Sequence, residues 1–160
     1  MSEVTVRSAT PDDVNVILEF IKRLAAFEHE PDAVKATTVD LLRDGFGAQP
    51  KFETLIAERD GQPVGFALFF STYSTWEGRS GIHLEDIFVI EEERGHGVGY
   101  KLMTALAAIA VQRGCARLEL SVLHWNPARK FYQQLGMAHQ EEWLLYRISG
   151  EALRKLATER

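Results

Sequence analysis

The chain has 160 residues, 46% of them hydrophobic and 26% charged, a makeup that excludes a disordered chain and fits one domain, residues 1–160. Its 18 basic and 23 acidic side chains leave a formal charge of −5, so a broad nucleic-acid-binding face is not expected. No apolar run approaches the ~18–20 residues of a membrane span. The single cysteine, Cys115, excludes an intrachain disulfide, and with an N-terminus lacking an apolar signal core the expected location is the cytoplasm.

Val4 and Val6 alternate as a short first strand. Thr10-Pro11-Asp12-Asp13 is a helix start: Thr10 can cap, Pro11 suits the first helical position, and two acids meet the positive end. Val14, Ile17, Leu18, Ile21, Leu24 and Ala25 follow at helical spacing, and the helix is expected to end near Phe27-Glu28-His29. Residues 38–46 read as a second helix capped by Thr38, with Leu41 and Leu42 on its buried side. Residues 52–58 and 64–73 read as strands joined at Asp60-Gly61, and 82–90 as an apolar central strand. A glycine-rich turn leads into a helix bearing Leu102, Met103, Leu106, Ile109 and Ala110, closed by Gly114. A strand over 117–122, a short helix over 127–135, a last strand over 142–148 and a terminal helix over 150–158 complete the chain. The order β-α-α-β-β-β-α-β-α-β predicts an α/β (mixed α+β) fold, a mixed sheet with helices on both faces.

Three segments carry chemistry. The first is Arg94-Gly95-His96-Gly97-Val98-Gly99, between a strand and a helix. Alternate glycines let the backbone turn so that successive N–H groups point at one spot, and the helix adds its positive end; together these form a pyrophosphate cradle. Glycines alone would equally mark a plain tight turn, but the strand–loop–helix context and Arg94 favour the cradle. A dinucleotide fingerprint fails because Tyr100 stands where it needs glycine, and the Walker Gly-Lys-Ser/Thr is absent. The second segment runs from Asn126 to Tyr132 and opens a helix, with Asn126 able to cap and Arg129 and Lys130 adding positive charge. The third is Glu85-Asp86 inside the central strand. Acids there are costly unless they are paired or face a cleft, and alternation sends them to opposite faces unless a bulge intervenes. The five histidines lack metal-ligand spacing, His83 and His124 read as polar rim residues, and Glu91-Glu92-Glu93 reads as a solvated turn.

Over essentially its whole length the chain resembles the GNAT superfamily of N-acetyltransferases. Arg94, Gly97 and Gly99 match the R/Q-x-x-G-x-G/A pattern, and Asn126 through Tyr132 match a second acetyl-CoA element. Ala-Ala-Phe-Glu ending at Glu28, Asp44-Gly45-Phe46-Gly47, Thr72-Tyr73-Ser74-Thr75-Trp76, Leu84-Glu85-Asp86 and Trp125-Asn126 resemble its diamine acetyltransferase subfamily, both the spermidine/spermine and the thialysine branches. Ser74 replaces an acid of the polyamine branch and resembles the thialysine branch, as does the C-terminal Gly150–Ala157 stretch; the stretch from Trp76 to Glu85 is one residue longer, around Gly81.

The resemblance implies a GNAT fold with a mostly antiparallel mixed sheet. It also implies acetyl transfer from acetyl-CoA to a primary amine, with no metal. Freeing the lone pair of an alkyl ammonium at pH 7 costs about 4.6 kcal/mol, so a base is needed, and the resemblance assigns Glu85. Tyr132 is implied as the acid that protonates the leaving thiolate. Backbone groups of Phe88 and Val89 are implied to hold the thioester and pantetheine arm, with Asn126. The amides of Arg94, Gly95, His96, Gly97, Val98 and Gly99 are implied to take the pyrophosphate, and Lys101, Arg129 or Lys130 the remaining phosphates. Glu28 and Asp86 are implied to hold a second cationic nitrogen, with Tyr73 and Trp76 lining its path by cation–π contact. The expected partner is a small-molecule amine, with no nucleic acid and no membrane, in a homodimer. A non-catalytic acyl-CoA-binding module and acetylation of a protein lysine or N-terminus are the alternatives.

Overall fold

The structure is a computed structural model, and it describes residues 2–159. Two compact units are present, Met1–Leu123 and His124–Arg160. In the first, β1 (Val4–Ser8) leads through a one-turn 3-10 helix to α1 (Val14–Phe27) and α2 (Thr38–Phe46). Strands β2 (Glu53–Arg59), β3 (Gln62–Ser74) and β4 (Arg79–Val89) follow, then α3 (Val98–Gln112) and β5 (Leu118–Leu120). The second unit holds α4 (Ala128–Gln134) and α5 (Gly150–Thr158).

The sheet order is β1-β2-β3-β4-β5. The first three pairings are antiparallel and β4–β5 is parallel. Asp60 and Gly61, with φ of 54° and 75°, make the tight β2–β3 turn that their sequence signals. Alternation along β3 feeds both faces. Phe66 joins Ile17 and Phe20 of α1, Leu41 of α2 and Phe88 of β4 in one core, with the Phe20 ring 5.8 Å from Phe66 and 5.5 Å from Phe88. Its neighbour Gly65 faces α3, where an added Cβ would meet Val98 at 3.4 Å and Leu102 at 3.5 Å. Helices therefore cover both faces, as the element order implies.

Three expectations need correction. The cap of α2 is Thr37, not Thr38: the Thr37 hydroxyl accepts from the Asp40 N–H at 3.2 Å, and the Asp40 carboxylate accepts from the Thr37 N–H at 2.9 Å. That reciprocal pair needs three-residue spacing to an acid, which Thr38 lacks. Leu42 points outward, 41% exposed, while Leu41 is buried. Residues 142–148 form no strand: the backbone is irregular from 143 to 149, and Trp143, Leu144, Leu145 and Tyr146 are each two-thirds or more exposed. A strand exists only as part of a ladder, and the described second unit holds no strand to pair with it.

Candidate active site

Strand β4 carries one residue more than β3 across their ladder. Phe69 pairs with Leu84, yet the next residue back, Leu68, pairs with Asp86, so Glu85 is left over as a β-bulge. The extra residue reverses the alternation. Leu84 lies opposite Phe69 on the α3 face, whereas Asp86 lies opposite Leu68 and two residues before Phe88 on the α1 face. Glu85 reaches the same face as His83, its Oε1 3.5 Å from His83 Nε2. Glu28, which ends α1, belongs to this cluster: its charge and that of Glu85 both act on Asp86. Burial first, then the charges of Glu85 and Glu28, push the Asp86 carboxyl up to about 7. Burial also raises Glu28 above the ordinary carboxylate range. Three carboxylates thus converge on one face, and one is poised to gain or lose a proton near neutral pH.

The second feature is an open strand edge. β5 pairs with Ile82, His83 and Leu84, and among the described residues no strand pairs with β4 on that side from Glu85 onward. Ile90 N–H donates to Val64 O at 2.9 Å, so two-residue alternation turns the Phe88 N–H toward β3 and leaves the Ile87 and Val89 N–H groups on the open edge. Of the two residues expected to offer backbone there, Val89 does and Phe88 instead buries its ring in the core.

The glycine loop follows. Gly95 and Gly97 have φ of 80° and 82°, conformations that side chains rarely adopt, and Gly97 caps α3. Gly99 lies within the first turn of α3, and Val98 is buried beneath it. The Lys101 N–H donates to Gly97 O at 3.0 Å, so the N–H groups of Val98, Gly99 and Tyr100 have no acceptor within the helix. This is a backbone anion cradle at the positive end of a 15-residue helix. The Arg94 side chain turns away from it. Its Nε donates to Val89 O at 3.0 Å, and its guanidinium lies over the Phe27 and Phe88 rings at 5.2 and 5.5 Å. The Lys101 ammonium donates to Val4 O at 2.8 Å on β1. Glu93, expected in a solvated turn, is bound to Arg59 by two hydrogen bonds of 2.9 and 3.0 Å, which fix the loop's entry to β2.

The second unit holds the Asn126–Tyr132 segment. Asn126 is buried, and its Oδ1 accepts from the Ala128 N–H at 2.9 Å, while Pro127, not Asn126, stands at the cap position of α4. Arg129 donates to His124 O at 2.8 Å, Lys130 is exposed, and Tyr132 is buried with its ring 5.4 Å from Phe131.

The acetyltransferase (GNAT) family profile matches residues 18–137. The chain belongs to the GNAT acetyltransferase family. It is 41% identical to a thialysine N-epsilon-acetyltransferase of Bos taurus, over 98% of this chain and 99% of that protein. It is 37% identical to the spermidine/spermine N(1)-acetyltransferase-like protein 1 of Homo sapiens, over 99% of this chain and 24% of that one. Among solved structures it is similar to an integron cassette protein from the mobile metagenome of V. cholerae, with a TM-score of 0.81, 28% identity and 99% of each chain covered. The chain is thus an N-acetyltransferase, an acyltransferase of a family that uses acetyl-CoA.

Within this GNAT frame the structure brings Glu28, Glu85 and Asp86 together and leaves Tyr73 and Trp76 apart from them. Tyr73 pairs with Ser80, six residues before Asp86, about 20 Å away at strand rise. Trp76 sits in the β3–β4 turn, 81% exposed, where Ser74 Oγ accepts from the Glu77 N–H at 3.1 Å. His83 and Phe70 join the acid face, stacked with centroids 5.0 Å apart. The sequence reading placed His83 on the rim; alternation sets it on the face of Glu85, and the bulge adds Asp86 to that face. Among the described residues no group of three or more His, Cys, Asp or Glu side chains is arranged to hold a metal ion, and no helix is long and apolar enough to cross a membrane.

Proposed function

We propose that this chain moves an acetyl group from acetyl-CoA to a primary amine of a small diamine or lysine-like substrate, by direct attack of the amine on the thioester. The observation that carries this is the convergence of Glu28, Glu85 and Asp86 on one face through the bulge. Such a face attracts a dication and can accept a proton from it. When bound, acetyl-CoA supplies the activated acyl group. The loop from Arg94 to Gly99 fits its pyrophosphate through backbone N–H groups, and the open edge at Val89 fits its amide-bearing arm.

Glu85 takes the ammonium proton, directly or through water. Asp86 and Glu28 hold the second cationic nitrogen. Tyr132 gives its phenolic proton to the departing thiolate, and Asn126, Arg129 and Lys130 serve the cofactor; these four roles rest on the resemblance of the Asn126–Tyr132 segment. Arg94 acts from beneath the loop by its aromatic contacts. A thialysine-like amine is favoured, because relatives so named are 41% identical over nearly the whole chain and Ser74 stands where the polyamine branch has an acid. One acetyltransferase domain over residues 1–160, a cytoplasmic location and a homodimer complete the reading. The exposed run Trp143–Tyr146 is apolar surface that a second copy would cover.

Release of the CoA thiol, measured with thialysine, lysine, ornithine, putrescine, spermidine, spermine and a lysine peptide, tests this. Thialysine or lysine is expected to lead. Leadership by the peptide would assign protein acetylation, and acetyl-CoA binding with no release from any amine would make the chain a binding module. Tyr132→Phe is expected to lose most turnover and keep acetyl-CoA affinity; unchanged turnover would remove Tyr132 from the mechanism.

A further inference from the structure

The acid face holds one group that this reaction scheme leaves unused. His83 Nε2 lies 3.5 Å from Glu85 Oε1. Its ring is clamped on the β3 side by Phe70, its partner across the ladder, at 5.0 Å and a tilt of 33°. Across the other edge, β5 sets Glu119 opposite it. Its side chain is 24% exposed and that of Glu85 54%, so the imidazole is the fixed member of the pair and the carboxylate the loose one. A loose carboxylate on a bulge has several rotatable bonds, and a base is effective only when its oxygen is held in reach of the proton.

We infer that His83 is a positioning residue for Glu85: it donates its Nε2–H toward Glu85 Oε1 and holds that carboxylate on the α1 face beside Asp86. The inference rests on Glu85 serving as the base. The titratable groups on this face are Glu85 and Asp86 from β4, Glu28 from α1 and Glu119 from β5, while β3 meets the imidazole with the uncharged Phe70.

Steady-state kinetics on the full chain and its variants test this. His83→Phe keeps the stack on Phe70 and removes the nitrogen. It is expected to lower kcat about tenfold at pH 7.5 and to leave KM for acetyl-CoA unchanged. His83→Gln restores a donor and is expected to recover most of kcat. In a Glu85→Gln background, His83→Phe is expected to have no further effect, since it acts through Glu85. Wild-type kcat in His83→Phe, with Glu85→Gln impaired, would overturn this inference alone. Losses that multiply in the double variant would overturn it too, by giving His83 a separate role. Wild-type kcat in Glu85→Gln would overturn the assignment of the base and this inference with it.

Discussion

The glycine loop after β4 and the bulge within β4 stand a few residues apart and prepare the same reaction by opposite means. The loop works with backbone: Gly95 and Gly97 at positive φ turn N–H groups toward one spot, and its charged side chains point elsewhere, Arg94 onto Phe27 and Phe88 and Lys101 onto β1. The bulge works with side chains: one surplus residue turns Glu85 and Asp86 onto the face that Glu28 borders. A cradle made of backbone tolerates exchange of side chains but not of backbone conformation. A cluster made of side chains is sensitive to each charge and indifferent to local φ. Substitutions in the two places should therefore separate cleanly in their effects on the two substrates.

The largest effect is expected at the bulge. Glu85→Gln keeps the shape and removes the proton acceptor, and a general base contributes roughly 10²–10⁴-fold. A fall in kcat of at least ~100-fold at pH 7.5 is expected, with acetyl-CoA affinity unchanged by equilibrium titration. A weakened acetyl-CoA affinity with little change in kcat would erase the distinction between the two places.

At the loop, Gly97→Ala reverses the pattern. Nothing lies within 4 Å of a Cβ added at Gly97, so the cost is conformational, about 1–2 kcal/mol for a side chain at positive φ. The backbone relaxes away from that conformation and takes the cradle's N–H groups with it. KM for acetyl-CoA is expected to rise about five- to tenfold, while KM for the amine at saturating acetyl-CoA stays put. An equal rise in both would mean that the loop also shapes the amine face.

The contrast also explains what could be read from residues alone. The loop was legible because a glycine at positive φ is a local matter, and strand, loop and helix are contiguous at residues 79–112. The turn at Asp60-Gly61 was legible for the same reason, whereas the helix start expected at Thr10-Pro11 is a one-turn 3-10 helix, Pro11–Asp13, that leads into α1 at Val14. The acid face was half legible. That Glu85 and Asp86 needed a partner or a cleft followed from their apolar strand, but their common face depends on how many residues β3 sets against β4, which no stretch of β4 reveals. His83 shares that face with Glu85 by alternation alone. Residues 142–148 failed for a related reason: β-branched and aromatic residues state a preference, and a strand needs a ladder partner as well.

The smallest effect is one of stability, and it probes whether the acid face is strained when empty. The Asp86 carboxyl, raised to about 7 by burial and by Glu85 and Glu28, would lie at ~3.9 in the unfolded chain. Below about pH 4 both states hold the proton and no cost arises. Between there and about 7 the native state keeps a proton that the unfolded chain has released, so stability falls as pH rises, and above 7 the whole cost is borne. A carboxamide cannot titrate and keeps the side chain's outline, so Asp86→Asn is expected to melt at least ~3 °C higher than the parent at pH 8 and to converge with it near pH 4. A difference independent of pH would show that Asp86 does not titrate in this window. A saturating dication should narrow the gap at pH 8, because a cation held against Asp86 offsets in the parent the repulsion that the carboxamide removes in the variant. A gap unchanged by diamine would place the second nitrogen somewhere other than Asp86, and would leave the bulge with a base but no cation-binding role.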